Sequence, residues 1–262
     1  MSAPIRFEIR DRIGLLTLAR PDKLNALVPE MRPGFEEALA RSAEPGVKAL
    51  LIQAEGKAFS VGGDIGWMAQ ALKEGRQGDL EDLLNLGGEV AYGLLTLPKP
   101  VVAVVQGAAA GGGMGLALSA DLRLATPDLV FSMAFVKIGL HPDWGSSVAL
   151  GRLLNPATAA ELMLTGDRVD APRALALGLV NRVVPADQME AVVQALARQL
   201  AEGPAPTFSA IKATVLRNQG FEAPRLKALL AAEAAQMKAA MARPDAGEGL
   251  AAFLEKRAPR FA

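Results

Sequence analysis

The sequence predicts an α/β fold in which buried strands are joined by helical crossovers and a mainly helical region completes the chain. Three observations carry this expectation. Short apolar runs alternate with helix-like stretches over the first hundred residues. One of them, Pro100–Val105 (PVVAVV), is β-branched and apolar on both faces, as a central strand covered by helices requires. After about Pro156 helix signals dominate, rich in Ala and Leu.

Taken in order, Phe7–Ile9 and Ile13–Ala19 read as a hairpin turning at Asp11-Arg12. A helix is expected from about Pro29 to Ser42, with proline near its start and an apolar stripe through Met31, Phe35 and Leu39. Val47–Gln53 (VKALLIQ) reads as a buried strand and Leu122–Ala125 as a shorter one; Lys73–Asp82 (KEGRQGDLED) reads as a charged, mobile loop or helix edge. Helices are expected at Ala157–Leu164, Ala171–Leu177, Ala186–Ala201, Thr207–Arg217 and Arg225–Ala242, with Gly166, Gly178 and Gly203 in C-cap positions. Such Ala-rich helices bury little alone, which implies packing on the core or on a neighbouring subunit. A boundary near residue 200 divides the chain into a core, 1–200, and a C-terminal helical region, 201–262.

Composition excludes several classes of function. The 262 residues are about half apolar, enough for a full core. Basic and acidic residues balance at 28 each, so no overall field favours nucleic acid or an acidic membrane surface. Tyrosine and tryptophan are scarce, which argues against a base-stacking surface. Cysteine is absent, which removes disulfides, thiolate metal sites and a cysteine nucleophile. His141 is the single histidine, so a histidine metal cage is also excluded, and neither a metal nor a separate cofactor is expected. The N-terminal residues hold no signal-type apolar run, and no stretch approaches the roughly 20 apolar residues of a membrane span. A cytoplasmic protein is the expectation.

The chemistry concentrates in two glycine segments. Ala58–Ile65 (AFSVGGDI) follows one buried strand, and Gln106–Leu116 (QGAAAGGGMGL) follows another; each leads into a helix. Glycine leaves a backbone N–H uncovered, and a helix N-terminus adds positive potential to it. Two such turns side by side could aim two N–H donors at one oxygen, as an oxyanion hole does. Tight packing is the plainer alternative for these glycines. A dinucleotide fingerprint fails, because Leu116 stands where its third glycine belongs, and no Lys-Ser/Thr follows as a P-loop needs.

AFSVGGDI, the PKPVVAVVQGAAAGGGMGLAL stretch, the LTGDRVDAPRALALGLVNRVV stretch and AAFLEKRAPRF, in this order, resemble the enoyl-CoA hydratase/isomerase (crotonase) superfamily from Arg20 to Phe261. The resemblance implies a ββα spiral core that binds an acyl-CoA thioester, and a C-terminal region used in trimerisation, with self-association as a trimer or hexamer. It implies that Gly63 and Gly112 give the two oxyanion N–H groups. Lys23, Ala26 and Val61 would lie along the coenzyme A moiety, which is part of the substrate, and Phe253 and Lys256 near its adenine and phosphate end. The two glutamates with which the family's hydratases activate and deliver water are missing: Gly115 and Phe135 stand at the matching positions. Water needs a carboxylate in reach to be activated.

His141-Pro142-Asp143-Trp144-Gly145 occupies a turn where some members carry an Asp that shuttles a proton in double-bond isomerases or acts as nucleophile in a dehalogenase. Asp143 is therefore the candidate proton carrier, with Trp144 and Phe135 beside it as acyl-pocket residues whose desolvation would raise its pKa. The alternative is a turn residue or N-cap before a helix at Gly145–Leu154. Asp64 is read as a helix cap and His141 as structural; Glu81, Asp82 and Glu89 are possible second acids. The reading favoured is an enoyl-CoA isomerase, Δ3–Δ2 or ring-modifying. A hydratase with a displaced acid and a non-catalytic acyl-CoA-binding protein are the alternatives.

Overall fold

The computed structural model describes residues 3–262. The N-terminal hairpin forms as expected, from β1 (Ile5–Arg10) and β2 (Ile13–Leu18). Its two turn residues, Asp11 and Arg12, both take positive φ (49° and 68°), the handedness that matches strand twist. After α1 (Arg32–Ser42) come β3 (Ala49–Ala54), α2 (Ile65–Lys73) and α3 (Gln77–Thr96). Next are β4 (Val101–Val105), β5 (Ala108–Ala110), α4 (Gly112–Leu118), β6 (Leu122–Ala125) and β7 (Val130–Ser132). Then follow α5 (Ser146–Leu153), α6 (Pro156–Thr165), β8 (Arg168–Asp170), α7 (Ala171–Ala176) and β9 (Arg182–Val183). Four helices complete the chain: α8 (Ala186–Glu202), α9 (Ala205–Asn218), α10 (Ala223–Met241) and α11 (Pro244–Leu254).

The main sheet has the order β1-β2-β3-β4-β6-β9, parallel except for the hairpin; β5, β7 and β8 form a smaller second sheet. Successive strand residues face opposite sides. Leu50, Ile52, Val101 and Ala103 pack into the large core with Phe35 and Leu94, while Ala49, Leu51 and Val102 pack against Met189 and Leu200 of α8. The sheet is covered on both faces, which is why its strands read as unbroken apolar runs.

Two helices depart from the sequence reading. The segment read as a charged loop at 73–82 ends α2 and begins α3, a 20-residue helix. Glycines at 78, 87, 88 and 93 lower its propensity by about 1 kcal/mol each. Packing requires two of them: a Cβ on Gly87 would sit 2.7 Å from the Trp144 ring, and one on Gly93 2.7 Å from Leu39. Likewise α11, not expected from its glycines, brings Gly249 against the backbone of Ile138. Gly166 and Gly178 take the left-handed conformation expected of C-caps (φ 61° and 74°). Gly203 does not; it is extended (φ −77°, ψ 172°), as the residue before Pro204 should be.

The C-terminal helices join the core. Met237, Ala246 and Leu250 belong to the same apolar cluster as Leu16 and Phe131, so the hydrophobic interior does not stop at residue 200. Lys212 pins α9 through an ion pair with Asp121 (2.8 Å) and a bond to the carbonyl of Leu94 (2.8 Å). No helix among the described residues is long and apolar enough to cross a membrane.

Candidate active site

The two glycine segments lie against each other, backbone to backbone. Ser60 N donates to Ala108 O (3.2 Å) and Ser60 O accepts from Ala110 N (2.9 Å). Asn25, fully buried, ties the first segment down: its Nδ2 donates to the carbonyls of Glu55 (2.8 Å) and Ala58 (2.9 Å), and Ser60 Oγ donates to Asn25 O (2.8 Å). The approach is too close for side chains. A Cβ on Gly113 would fall 2.2 Å from Ser60 O, and one on Gly62, whose φ is +84°, would fall 2.7 Å from Ala110 O and 3.2 Å from Gly112 N.

This packing frees two amides. Leu27 bridges the first segment, with Leu27 N donating to Gly62 O (2.8 Å) and Leu27 O accepting from Asp64 N (3.0 Å). Extended peptides alternate in direction, so the Gly63 N–H points away from Leu27. Gly112 opens α4, where a helix leaves its first N–H groups without internal partners. Neither amide donates to a backbone carbonyl among the described residues. Both glycines line one cavity of about 790 Å³.

The cavity is apolar within and cationic at its edge. Met68 of α2, Leu80, Leu83 and Leu84 of α3, and Met237 and Met241 of α10 line it together with Phe135, Leu140 and Trp144, of which Phe135 and Trp144 pack beside Gly111 and Gly112. Exposed Lys23, Lys137, Arg168 and Arg257 border it, together with Phe253 and Leu254. The lining thus includes Lys23, Ala26, Val61, Phe135, Trp144 and Phe253 of the residues expected there. Lys256, which follows α11 in a left-handed conformation (φ 54°), is not among the residues of this chain that line the cavity, whereas Arg257 is.

Asp143 lines the same cavity and is 9% exposed. Its turn is tight: Asp143 O accepts from Ser146 N (2.9 Å), and Trp144 and Gly145 both have positive φ (54° and 68°). For a bulky residue this is a genuine outlier. The Trp144 ring fits because Gly87 and Gly112 offer no side chain, and it meets Phe35 edge-on at 5.8 Å. Burial, and then the field of the Glu233 carboxylate, hold Asp143 well above the usual carboxylate range. The turn also excludes a side chain at position 115. A Cβ on Gly115 would lie 2.7 Å from Trp144 O and 3.0 Å from Ser146 Cβ. The backbone that follows Asp143 fills the space a side chain there would need.

Glu233 was not legible as a site residue, although a signal existed. On α10 the buried stripe runs Leu226, Leu230, Glu233, Met237, Ala240, so a carboxylate sits at an apolar position of the repeat. Glu81, Asp82 and Glu89 take no part in the cavity: Glu81 pairs with Lys238, Glu89 pairs with Arg32, and Arg32 also donates to the backbone of Asp82. Asp64 borders the cavity and caps α2, accepting from Trp67 N (3.2 Å), while it pairs with Arg20 (3.2 Å). His141 Nδ1 lies 2.7 Å from Pro142 O, a local contact. Among the described residues no group of three or more His, Cys, Asp or Glu side chains is placed to hold a metal ion.

Known proteins resemble this chain over nearly its full length. A family model described as enoyl-CoA hydratase/isomerase matches residues 8–262. A probable enoyl-CoA hydratase of Rhodobacter capsulatus is 37% identical over 258 residues, 98% of this chain and 97% of that protein. A trans-2-decenoyl-[acyl-carrier-protein] isomerase of Streptococcus mutans is 31% identical, with the same coverage of each. The crystal structure of an enoyl-CoA hydratase from Mycobacterium avium subsp. paratuberculosis K-10 superposes with a TM-score of 0.88 at 33% identity, covering 100% of both chains.

Proposed function

Because this chain belongs to the enoyl-CoA hydratase/isomerase family, we propose that it is an enoyl-CoA isomerase that shifts a double bond by moving one proton. The Gly63 and Gly112 amides hold the thioester oxygen, and Asp143 carries the proton. The carboxylate of Asp143 takes a proton from the α carbon, and the electrons of that C–H bond flow into an enolate held by the two amides. Asp143 then returns the proton to the γ carbon, leaving the double bond conjugated with the thioester. The single observation behind this reading is that, among the described residues, Asp143 is the one buried carboxyl lining the cavity that the two unpaired amides share. One carboxyl suffices for a proton shift, whereas hydration by the family's two-glutamate route needs acids that Gly115 and Phe135 do not supply.

The cationic border of Lys23, Lys137, Arg168 and Arg257 suits the phosphates of coenzyme A, and the apolar wall suits a hydrocarbon acyl chain. Self-association as a trimer or hexamer is part of the proposal, supported by exposed Ile211 and Val215 on α9. The test is turnover of a 3-enoyl-CoA, read as new absorbance of the conjugated thioester. Asp143→Asn should lose about 100-fold or more, the scale of general acid–base catalysis. An Asn variant as active as the parent removes Asp143 from the mechanism.

The names of most relatives favour a second reading, a hydratase whose acid is displaced to Asp143. It would consume a 2-enoyl-CoA with loss of conjugation, an outcome the isomerase does not give.

A further inference from the structure

Glu233 lies outside the cavity lining, yet it binds the turn that presents Asp143. Its Oε1 accepts from Gly145 N (2.6 Å) and its Oε2 from Ser147 N (3.0 Å) and the Ser147 hydroxyl. The carboxylate from α10 thereby caps the first turn of α5, 88 residues away in sequence from Gly145. These contacts grip the two residues' worth of left-handed backbone, Trp144 and Gly145, immediately after Asp143. Strained backbone of this kind persists only where its surroundings over-determine it.

We propose that Glu233 is a positioning residue for the proton carrier: it locks the Asp143–Ser147 turn and sets a buried negative charge beside Asp143, which makes its carboxylate the stronger base. This deepens the isomerase reading and rests on it for the role of Asp143, but its physical content is separate.

The charge distribution supports a one-way arrangement. Glu233 is 5% exposed, and burial raises its pKa, but the Ser147 hydroxyl and the Gly145, Ser147 and Val148 amides oppose that shift. The positive end of α5 also favours its ionised form. Asp143 has no such set of donors; its own amide is the one group that stabilises its charge. The first proton of the pair therefore leaves Glu233, and the resulting charge holds the second on Asp143. Other ionisable groups bordering the cavity are Lys23, Asp64, Lys137, Arg168 and Arg257, with His141 two residues along the loop. Glu233 is the charge whose field acts on Asp143. The faces that α2, α3, α4, α10 and α11 turn to the cavity carry no charged side chain.

The experiment follows the carboxyl C=O stretch of protonated Asp143 by infrared titration of the ligand-free enzyme, assigned by its loss in Asp143→Asn. In Glu233→Gln, which keeps an acceptor but removes the charge, the ionisation constant of Asp143 should rise about tenfold, so the titration midpoint falls. A midpoint that stays where it was overturns the proposal, whatever happens to turnover. If Glu233→Gln does not fold, the order of the two titrations in the parent decides: the Glu233 band, assigned by difference from Asp143→Asn, should disappear at lower pH than that of Asp143 and keep its midpoint in Asp143→Asn, because Glu233 ionises while position 143 is neutral, and a Glu233 midpoint that falls in Asp143→Asn overturns the proposal. A shifted midpoint together with an active Asp143→Asn enzyme would sustain the coupling and defeat the isomerase reading, so the two fail separately.

Discussion

The two halves of the site are built on opposite principles. The amide half, at residues 58–63 and 108–113, is made of backbone: strands β3 and β4 end side by side, and glycines let the following loops press together until Gly63 and Gly112 have spare N–H groups. The acid half is made of side chains from distant segments, with Asp143 on a strained turn and Glu233 reaching it from α10. The first depends on the absence of atoms and tolerates no additions. The second depends on a few charged atoms and should fail by loss of charge while the fold survives.

Adding a carboxylate at position 115 is the severest way to test that contrast. Gly115→Glu would force a carboxylate into the backbone of Trp144–Ser146, a change expected to cost more than about 4 kcal/mol and to unfold the acid half without producing hydration. Chemical denaturation and a 2-enoyl-CoA assay check both parts. Gly113→Ala is the milder addition to the amide half: its methyl meets Ser60 O at 2.2 Å, and the overpacking should cost about 1–3 kcal/mol and depress turnover at every pH alike.

The acid half should respond to pH instead. In the proposed isomerisation turnover begins with ionised Asp143, whose pKa lies well above the usual range through burial and Glu233. Activity should therefore fall as pH drops through that raised value, and the limb should vanish from the residual activity of Asp143→Asn. Stability runs in the opposite sense. The native state holds the Asp143 proton more tightly than the unfolded chain, so its contribution is complete below the unfolded value near about 4 and is lost as pH rises through the native one. Urea unfolding should show Asp143→Asn more stable than the parent at pH 8, with the difference closing on acidification. The smallest effect belongs to the acids outside the cavity. Glu89→Gln removes an exposed ion pair with Arg32, worth about 0–1 kcal/mol, and turnover should stay within about twofold of the parent by the general acid–base scale it does not touch.

The same contrast explains what the sequence revealed. The strands and the amide half were legible because their signals are local: the apolar run at Pro100–Val105, and glycines directly after it. The helix α3 was hidden because its glycines answer to Trp144 and Leu39, residues far away in sequence. Desolvation of Asp143 beside Trp144 could be expected from the turn, but its second cause could not, since Glu233 reaches it from α10. Arg257 rather than Lys256 lines the cavity because of one left-handed residue after α11, a detail no periodicity carries.

A crystal structure with an unreactive acyl-CoA thioether or ether analogue that retains a carbonyl oxygen tests the central claim most directly. The account predicts that oxygen at about 3 Å from both Gly63 N and Gly112 N, with an Asp143 carboxyl oxygen within about 3–4 Å of the α carbon. A carbonyl bound elsewhere, or an α carbon facing Phe135 with Asp143 out of reach, would contradict it.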